Sequence, residues 1–221
     1  IERATRKNLS LMRESGCKGK RIIGRGLALL TAATASGTMA LRPPGGIVLC
    51  GLPGSGKSVL AAALSKYGWQ IVNQDTLGNR KKCEACFSKA IISGQKVVVD
   101  RCNHDASQRA HWLRLAGDIP LVSVWLDAPI DLCISRVMTR SNHPTLGPTP
   151  KSKKIIRNFA RTFSPPSSQH ESFAKFIQLS VPLDRDINTI AHDLNHLFIQ
   201  DSFEEDDDAA TVDLTSTTHK E

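Results

Sequence analysis

Nowhere in the 221 residues does an apolar run approach the ~18 needed to cross a bilayer, so no membrane-spanning role is expected. The nearest approach, residues 27–40, is diluted by Thr, Ala, Ser and Gly. The six cysteines lack a zinc framework. Cys83 and Cys86 form one CxxC with no second pair at metal spacing. Both fall inside a helical pattern, where two buried or half-buried thiols are the simpler reading. Scattered cysteines without a disulfide framework point to a reduced, intracellular chain. The first 30 residues are Arg-rich and acid-poor, faintly like a transit peptide, so nucleus, cytoplasm and mitochondrion all stay open. The seven histidines have no metal spacing either. His143 sits alone, and His192 and His196 stand i, i+4 as a surface polar pair.

Acid is nearly missing from one end of the chain and base from the other. Residues 1–44 carry nine Lys/Arg against two acids, and residues 201–221 carry one Lys against eight. The remainder still holds 19 basic and 11 acidic residues. Residues 1–42 have no steady apolar period and read as a basic, poorly ordered arm. The stretch 201–221, with its run of five acids at 204–208, reads as a disordered tail. The domain between them, residues 43–200, is basic enough to favour a polyanionic partner. The chain begins with Ile rather than Met, so a fragment of a longer protein with further domains is the expectation.

Within 43–200 short apolar runs alternate with helical patterns. Strands are expected at residues 47–50, 69–73, 97–99, 121–126 and 173–179. Helices are expected at 57–67, 80–93, 106–116, 130–140, 153–163 and 187–198. Such alternation predicts an α/β fold, a parallel sheet of about five strands with helices on both faces.

The strand at 47–50 runs straight into Gly51-Leu52-Pro53-Gly54-Ser55-Gly56-Lys57-Ser58, the full GxxxxGK[ST] phosphate-loop pattern. Its glycines let backbone N–H groups converge on phosphate oxygens, and the helix that follows adds its positive dipole end. Lys57 is expected to reach the β- and γ-phosphates of ATP, and the Ser58 hydroxyl to ligate Mg²⁺. Pro53, Gly54 and Ser55 complete the cradle. These residues predict a P-loop NTPase or kinase fold and leave the phosphoryl acceptor undefined.

Three further segments follow the loop in order: Val72-Asn73-Gln74-Asp75-Thr76-Leu77-Gly78, then Val99-Asp100-Arg101-Cys102-Asn103, then residues 136–145 beginning at Arg136. With the loop, they resemble the 5′-kinase domain of polynucleotide kinases, as found in kinase–phosphatase DNA repair enzymes and in domains fused to aprataxin-type modules. The resemblance covers about residues 45–165. It implies that Asp75 is the general base. A carboxylate at the C-terminal edge of a strand faces the ligand crevice, and an attacking alcohol needs its proton accepted. The alternative is a helix cap. Asp100 either holds a Mg²⁺-bound water or, as the resemblance favours, orients the acceptor pocket. Asn103 and Arg109 match recurring residues of that pocket; capping and a solvated surface charge are their plainer alternatives.

Arg136 and Arg140, four apart at a helix end, resemble the lid arginines of P-loop kinases, with a helical lid at about 136–163. A solvated helix end is the alternative. The acceptor side departs from the family: where phage-type kinases place an Arg three residues after the base, this chain has Gly78, with Arg80, Lys81 and Lys82 nearby. No phosphatase domain is evident. Lys153, Arg157 and Arg161 share one helix face, able to track a nucleic-acid backbone or simply to be solvated. The resulting expectation is an ATP- and Mg²⁺-dependent kinase for the 5′-OH end of DNA or RNA, acting in nucleic-acid repair or processing. Its rivals are a small-molecule P-loop kinase and a nucleotide-dependent nucleic-acid-binding module of a larger repair protein.

Overall fold

Five consecutive residues with no room for a polar side chain begin the fold. Gly46–Cys50 (β1) is buried along its whole length, as a strand covered on both faces must be. The computed structural model describes residues 45–140 and 146–198 together with the backbone of the short strand Val212–Asp213. All of these lie within one compact unit, Ala40–Glu221. The basic arm, loop residues 141–145 with His143, and the acidic stretch apart from 212–213 fall outside the described residues.

The strands are β1, β2 (Gln70–Asn73), β3 (Val97–Asp100), β4 (Leu121–Asp127), β5 (Lys175–Ser180) and β6 (Val212–Asp213). They form one sheet in the order β2-β3-β1-β4-β5-β6, and every pairing is parallel. The five expected strands are present, with no end shifted by more than two residues. The sixth pairs with Ile177 and Gln178 and lies inside the stretch read from sequence as a disordered tail. Two residues in a polar, acidic context carry no strand period; only the open edge of β5 provides their partner.

Helices cover both faces, as the alternation predicts. Because β1 side chains alternate, Ile47 and Leu49 enter one cluster with Leu60 and Leu64 of α1 (Lys57–Ser65), while Val48 enters another. The first face is completed by Cys133 and Val137 of α5 (Ile130–Thr139), Ile156 of α6 (Pro150–Thr162) and Leu194 of α7 (Ile187–His196). On the second face Phe87 of α3 (Arg80–Ile92) meets Trp112 of α4 (Ala106–Ala116) with ring centroids 5.2 Å apart. One short helix, α2 (Gln74–Leu77), was not expected; four residues are too few to show a period.

β1 has β3 on one side and β4 on the other, and the connections leaving the C-terminal ends of β1 and β3 lead to helices on opposite faces of the sheet, α1 and α4. That is the position where open parallel sheets part their loops and leave a crevice. The phosphate-loop pattern starts there.

Candidate active site

The loop 51–56 depends on glycine for two separate reasons. Gly51, Gly54 and Gly56 have φ of 137°, 92° and 111°, a region that side chains strain to occupy. A Cβ on Gly54 would also lie 2.6 Å from the carbonyl oxygen of Cys133, and one on Gly51 2.7 Å from that of Leu126. The loop is thus seated directly on the backbone of α5 and on the end of β4. Gly51 N–H donates to the Cys102 carbonyl (3.2 Å), tying the loop to the segment that follows β3. No side chain caps α1, so its first N–H groups stay available to an anion. Lys57 is buried, and its ammonium donates to the carbonyls of Gly51 (2.9 Å) and Leu52 (2.7 Å).

The second strand delivers Asp75. Asn73 ends β2, and its side chain works in two directions. Its Oδ1 accepts from the backbone N–H of Asp75 (2.7 Å) and Thr76 (3.3 Å), which caps α2, and its Nδ2 donates to Asp100 Oδ2 (2.6 Å). Asn73, not Asp75, is therefore the cap of α2, and Asn79 caps α3. The Asp75 carboxylate is exposed in the cleft and makes no hydrogen bond among the described residues. Asp100 sits in register with Asn73 at the end of β3 and is almost fully buried.

Loop, strand ends and helices α5 and α6 line a cleft of ≈ 350 Å³. It brings together Pro53, Gly54, Gly56, Lys57 and Ser58 of the loop, Asp75 and Asp100, and Arg140 at the end of α5. Arg136 lies beside it. Its Nη1 donates to the carbonyls of Ser55 (3.2 Å) and Gly54 (3.4 Å), so its charge is committed to holding the loop. Cys133, whose carbonyl supports Gly54, is a poor nucleophile: burial pushes its thiol pKa up against the pull of Lys57 and Arg136. Cys50, the last residue of β1, has its thiol pKa pushed up to about 12, again mainly by burial.

Two expected substrate contacts are corrected by the structure. Asn103 is completely buried with φ 42°. Its side chain donates to the Leu49 carbonyl (2.7 Å) and accepts from Trp112 Nε1 (2.9 Å), which fixes the loop after β3 to β1 and α4. Arg109 is equally buried. It pairs with both oxygens of Glu171 (2.6 and 2.8 Å) and donates to the carbonyls of Asn103 (2.9 Å), Ser164 (2.8 Å) and Pro165 (3.3 Å). No donor is left for a substrate. Glu171 lies 62 residues away, which no local pattern in the sequence discloses.

Arg109→Leu should therefore act on stability. It leaves the Glu171 carboxylate buried without its partner, a loss of ~3–5 kcal/mol. Denaturant titration checks this: an unchanged midpoint would show that the pair is not needed by the fold.

Other sequence candidates also find their places. Cys83 is buried and Cys86 half-buried, in line with the simpler reading, and the five described cysteines are free thiols. Lys153, Arg157 and Arg161 are exposed on α6, and none lines the cleft. His192 and His196 face each other with 3.0 Å between Nε2 atoms, but no group of three metal-ligating side chains exists among the described residues. No helix among those residues is long and apolar enough to cross a membrane. Arg101, Cys102, His104, Gln108 and Phe159 also line the cleft and went unnoticed as site residues. Arg101 and Cys102, inside the Asp-x-x-Asn segment, and His104, adjacent to it, had a signal in sequence; Gln108 and Phe159 had none.

No family model matches the chain. Two curated proteins are similar over part of it. Transcription factor bHLH140 of Arabidopsis thaliana is 34% identical over 106 residues, 44% of this chain and 12% of its own length. The bifunctional polynucleotide phosphatase/kinase of Schizosaccharomyces pombe is 34% identical over 89 residues, 39% of this chain and 22% of its own. The chain thus spans less than a quarter of either relative. Among solved structures, a fungal RNA kinase superposes with TM-score 0.55 at 16% identity, covering 75% of this chain and 91% of the other. Chaetomium thermophilum Kti12, solved with ADP-AlF3, gives 0.54 at 16% identity, covering 70% and 98%. In fold the chain matches P-loop kinase structures, and over part of its length it is similar in sequence to a bifunctional polynucleotide phosphatase/kinase.

Proposed function

We propose that the chain is an ATP-dependent kinase domain that phosphorylates the 5′-hydroxyl end of DNA or RNA, as a part of a larger protein acting in nucleic-acid end healing. The observation that carries the reading is the placement of an unpartnered carboxylate, Asp75, in the same cleft as the phosphate loop and Arg140. In this mechanism Asp75 takes the proton of the 5′-OH as its oxygen attacks the γ-phosphorus. The bond to the β,γ-bridging oxygen breaks, and ADP leaves with that electron pair. Lys57 swings from its loop carbonyls to the β- and γ-oxygens, and Arg140 meets the charge spread over the transferring group.

The hard oxygens of Ser58 and Asp100 in one cleft suit Mg²⁺, which keeps most of its waters and needs few protein ligands. There the ion would neutralise phosphate charge, with Ser58 as direct ligand and Asp100 through water. The homology to polynucleotide kinase favours a nucleic-acid acceptor over a small alcohol. Incubating the domain with γ-labelled ATP and a panel of 5′-OH DNA, 5′-OH RNA and small alcohols tests the reading. Label confined to small alcohols would replace it with the small-molecule kinase. Binding of ATP and nucleic acid with no transfer would replace it with a binding module.

Lys57→Ala should weaken ATP binding and lower turnover by ~10²–10³, since it removes one of the fixed cations on the transferring phosphoryl group. A full rate in a preparation free of contaminating kinase would remove the phosphate loop from the mechanism.

A further inference from the structure

An aromatic corner inside the cleft has no part in proton or phosphoryl transfer. Aromatic residues are scarce in this chain, 7 Phe, 3 Trp and 1 Tyr in 221. Yet the rings of His104 and Phe159 meet in the cleft edge to face, with centroids 5.1 Å apart and planes at 80°. The His104 ring is held at both nitrogens: Gln108 Nε2 lies 2.9 Å from Nδ1, and Asp105 Oδ2 lies 3.1 Å from Nε2. Asp105 is itself fixed, because its Oδ1 accepts from Gln108 N–H (2.8 Å) as the cap of α4 and from the Ser107 hydroxyl (2.8 Å). Its carboxyl is held below the usual range, with those hydrogen bonds outweighing the cost of partial burial. Phe159 comes from the inner side of α6, between the exposed Arg157 and Arg161. One ring is therefore locked by side-chain hydrogen bonds and the other is carried by the lid helix.

This rigid, partly exposed aromatic corner lies in the same cleft as the Asp75 carboxylate. It suits a flat π-face. Stacking on aromatic side chains is how unpaired nucleobases are gripped without regard to sequence. We infer that His104 and Phe159 form a stacking site for the base of the acceptor's first nucleotide, positioning its 5′-OH beside Asp75. The inference rests on the polynucleotide-kinase reading. It adds a requirement that the terminal base be free to leave a duplex stack, so 5′ ends that are single-stranded or frayed are favoured.

The test uses Phe159→Leu and Phe159→Tyr, which keep the apolar volume, and His104→Ala. The acceptors are 5′-OH oligonucleotides with a normal or an abasic first nucleotide. For the unaltered protein the abasic end should raise acceptor KM by ~5–100-fold, the range expected for one stacked base. Phe159→Leu and His104→Ala should shrink that ratio toward one, Phe159→Tyr should retain it, and none should move the KM for ATP. A ratio unchanged in the Leu and Ala variants overturns the inference, as does a rise in KM for ATP, which would assign the corner to the nucleotide's own base. Fluorescence anisotropy of the same two oligonucleotides measures the stacking preference without turnover. Absence of transfer to any oligonucleotide sinks the kinase reading, while equal binding of normal and abasic ends sinks the stacking site.

Discussion

Arg140→Ala should lower turnover by ~10³–10⁵, with the nucleotide affinity changed far less. A single arginine on the transferring phosphoryl group contributes on that scale in other phosphoryl-transfer enzymes, because its charge matters most where the transition state is most anionic. Arg140 lines the cleft and forms no salt bridge among the described residues. Arg136→Ala should behave differently. Its guanidinium already serves the Gly54 and Ser55 carbonyls, so its loss loosens the loop and raises KM for ATP more than it lowers kcat. Steady-state kinetics of both variants decide the assignment. Equal effects on kcat would mean that both arginines reach the phosphoryl group, and a larger effect for Arg136 would reverse their roles.

Asp75→Asn should lower turnover on 5′-OH ends by ~10²–10⁴, the usual contribution of a general base. The substitution keeps the size of the side chain and removes only its capacity to take a proton. Melting temperature should not move, because the cap of α2 is Asn73 and the Asp75 carboxylate holds nothing else among the described residues. Were Asp75 a cap, its contribution would be ~1 kcal/mol of stability and nothing to chemistry. Turnover and melting curve on one preparation separate the two roles. Near-normal turnover would pass the part of base to Asp100. That residue is less well placed for it, since it is almost fully buried and already accepts a hydrogen bond from Asn73.

Much of the cleft was legible in the sequence because its main parts are local. A phosphate loop is built by contiguous backbone: glycines that permit positive φ, a lysine, a hydroxyl and the helix they open, all within eight residues. The α/β alternation is equally local. Each strand is a short apolar run, and each helix repeats its apolar face every three or four residues. Asp75 could be placed at a strand's edge for the same reason. Whether Asp75 was instead a helix cap could not be read locally. Asn and Asp are both good caps, and only coordinates reveal that Asn73 caps α2 and leaves Asp75 free.

What the sequence by itself determined is a parallel α/β domain with a phosphate loop after its first strand and a carboxylate just beyond its second. Tertiary structure alone decided the fate of the longer-range polar residues. Arg109 and Asn103 carry the same chemistry whether they face a substrate or a core, and burial depends on what packs over them. Glu171, 62 residues beyond Arg109, turns that arginine into a structural ion pair. Packing of α6 over the loop after β3 turns His104 and Phe159, 55 positions apart, into one aromatic corner. Charge and aromaticity are properties of a residue, but their use depends on its surroundings. Those surroundings are assembled from segments whose separation along the chain carries no period to read.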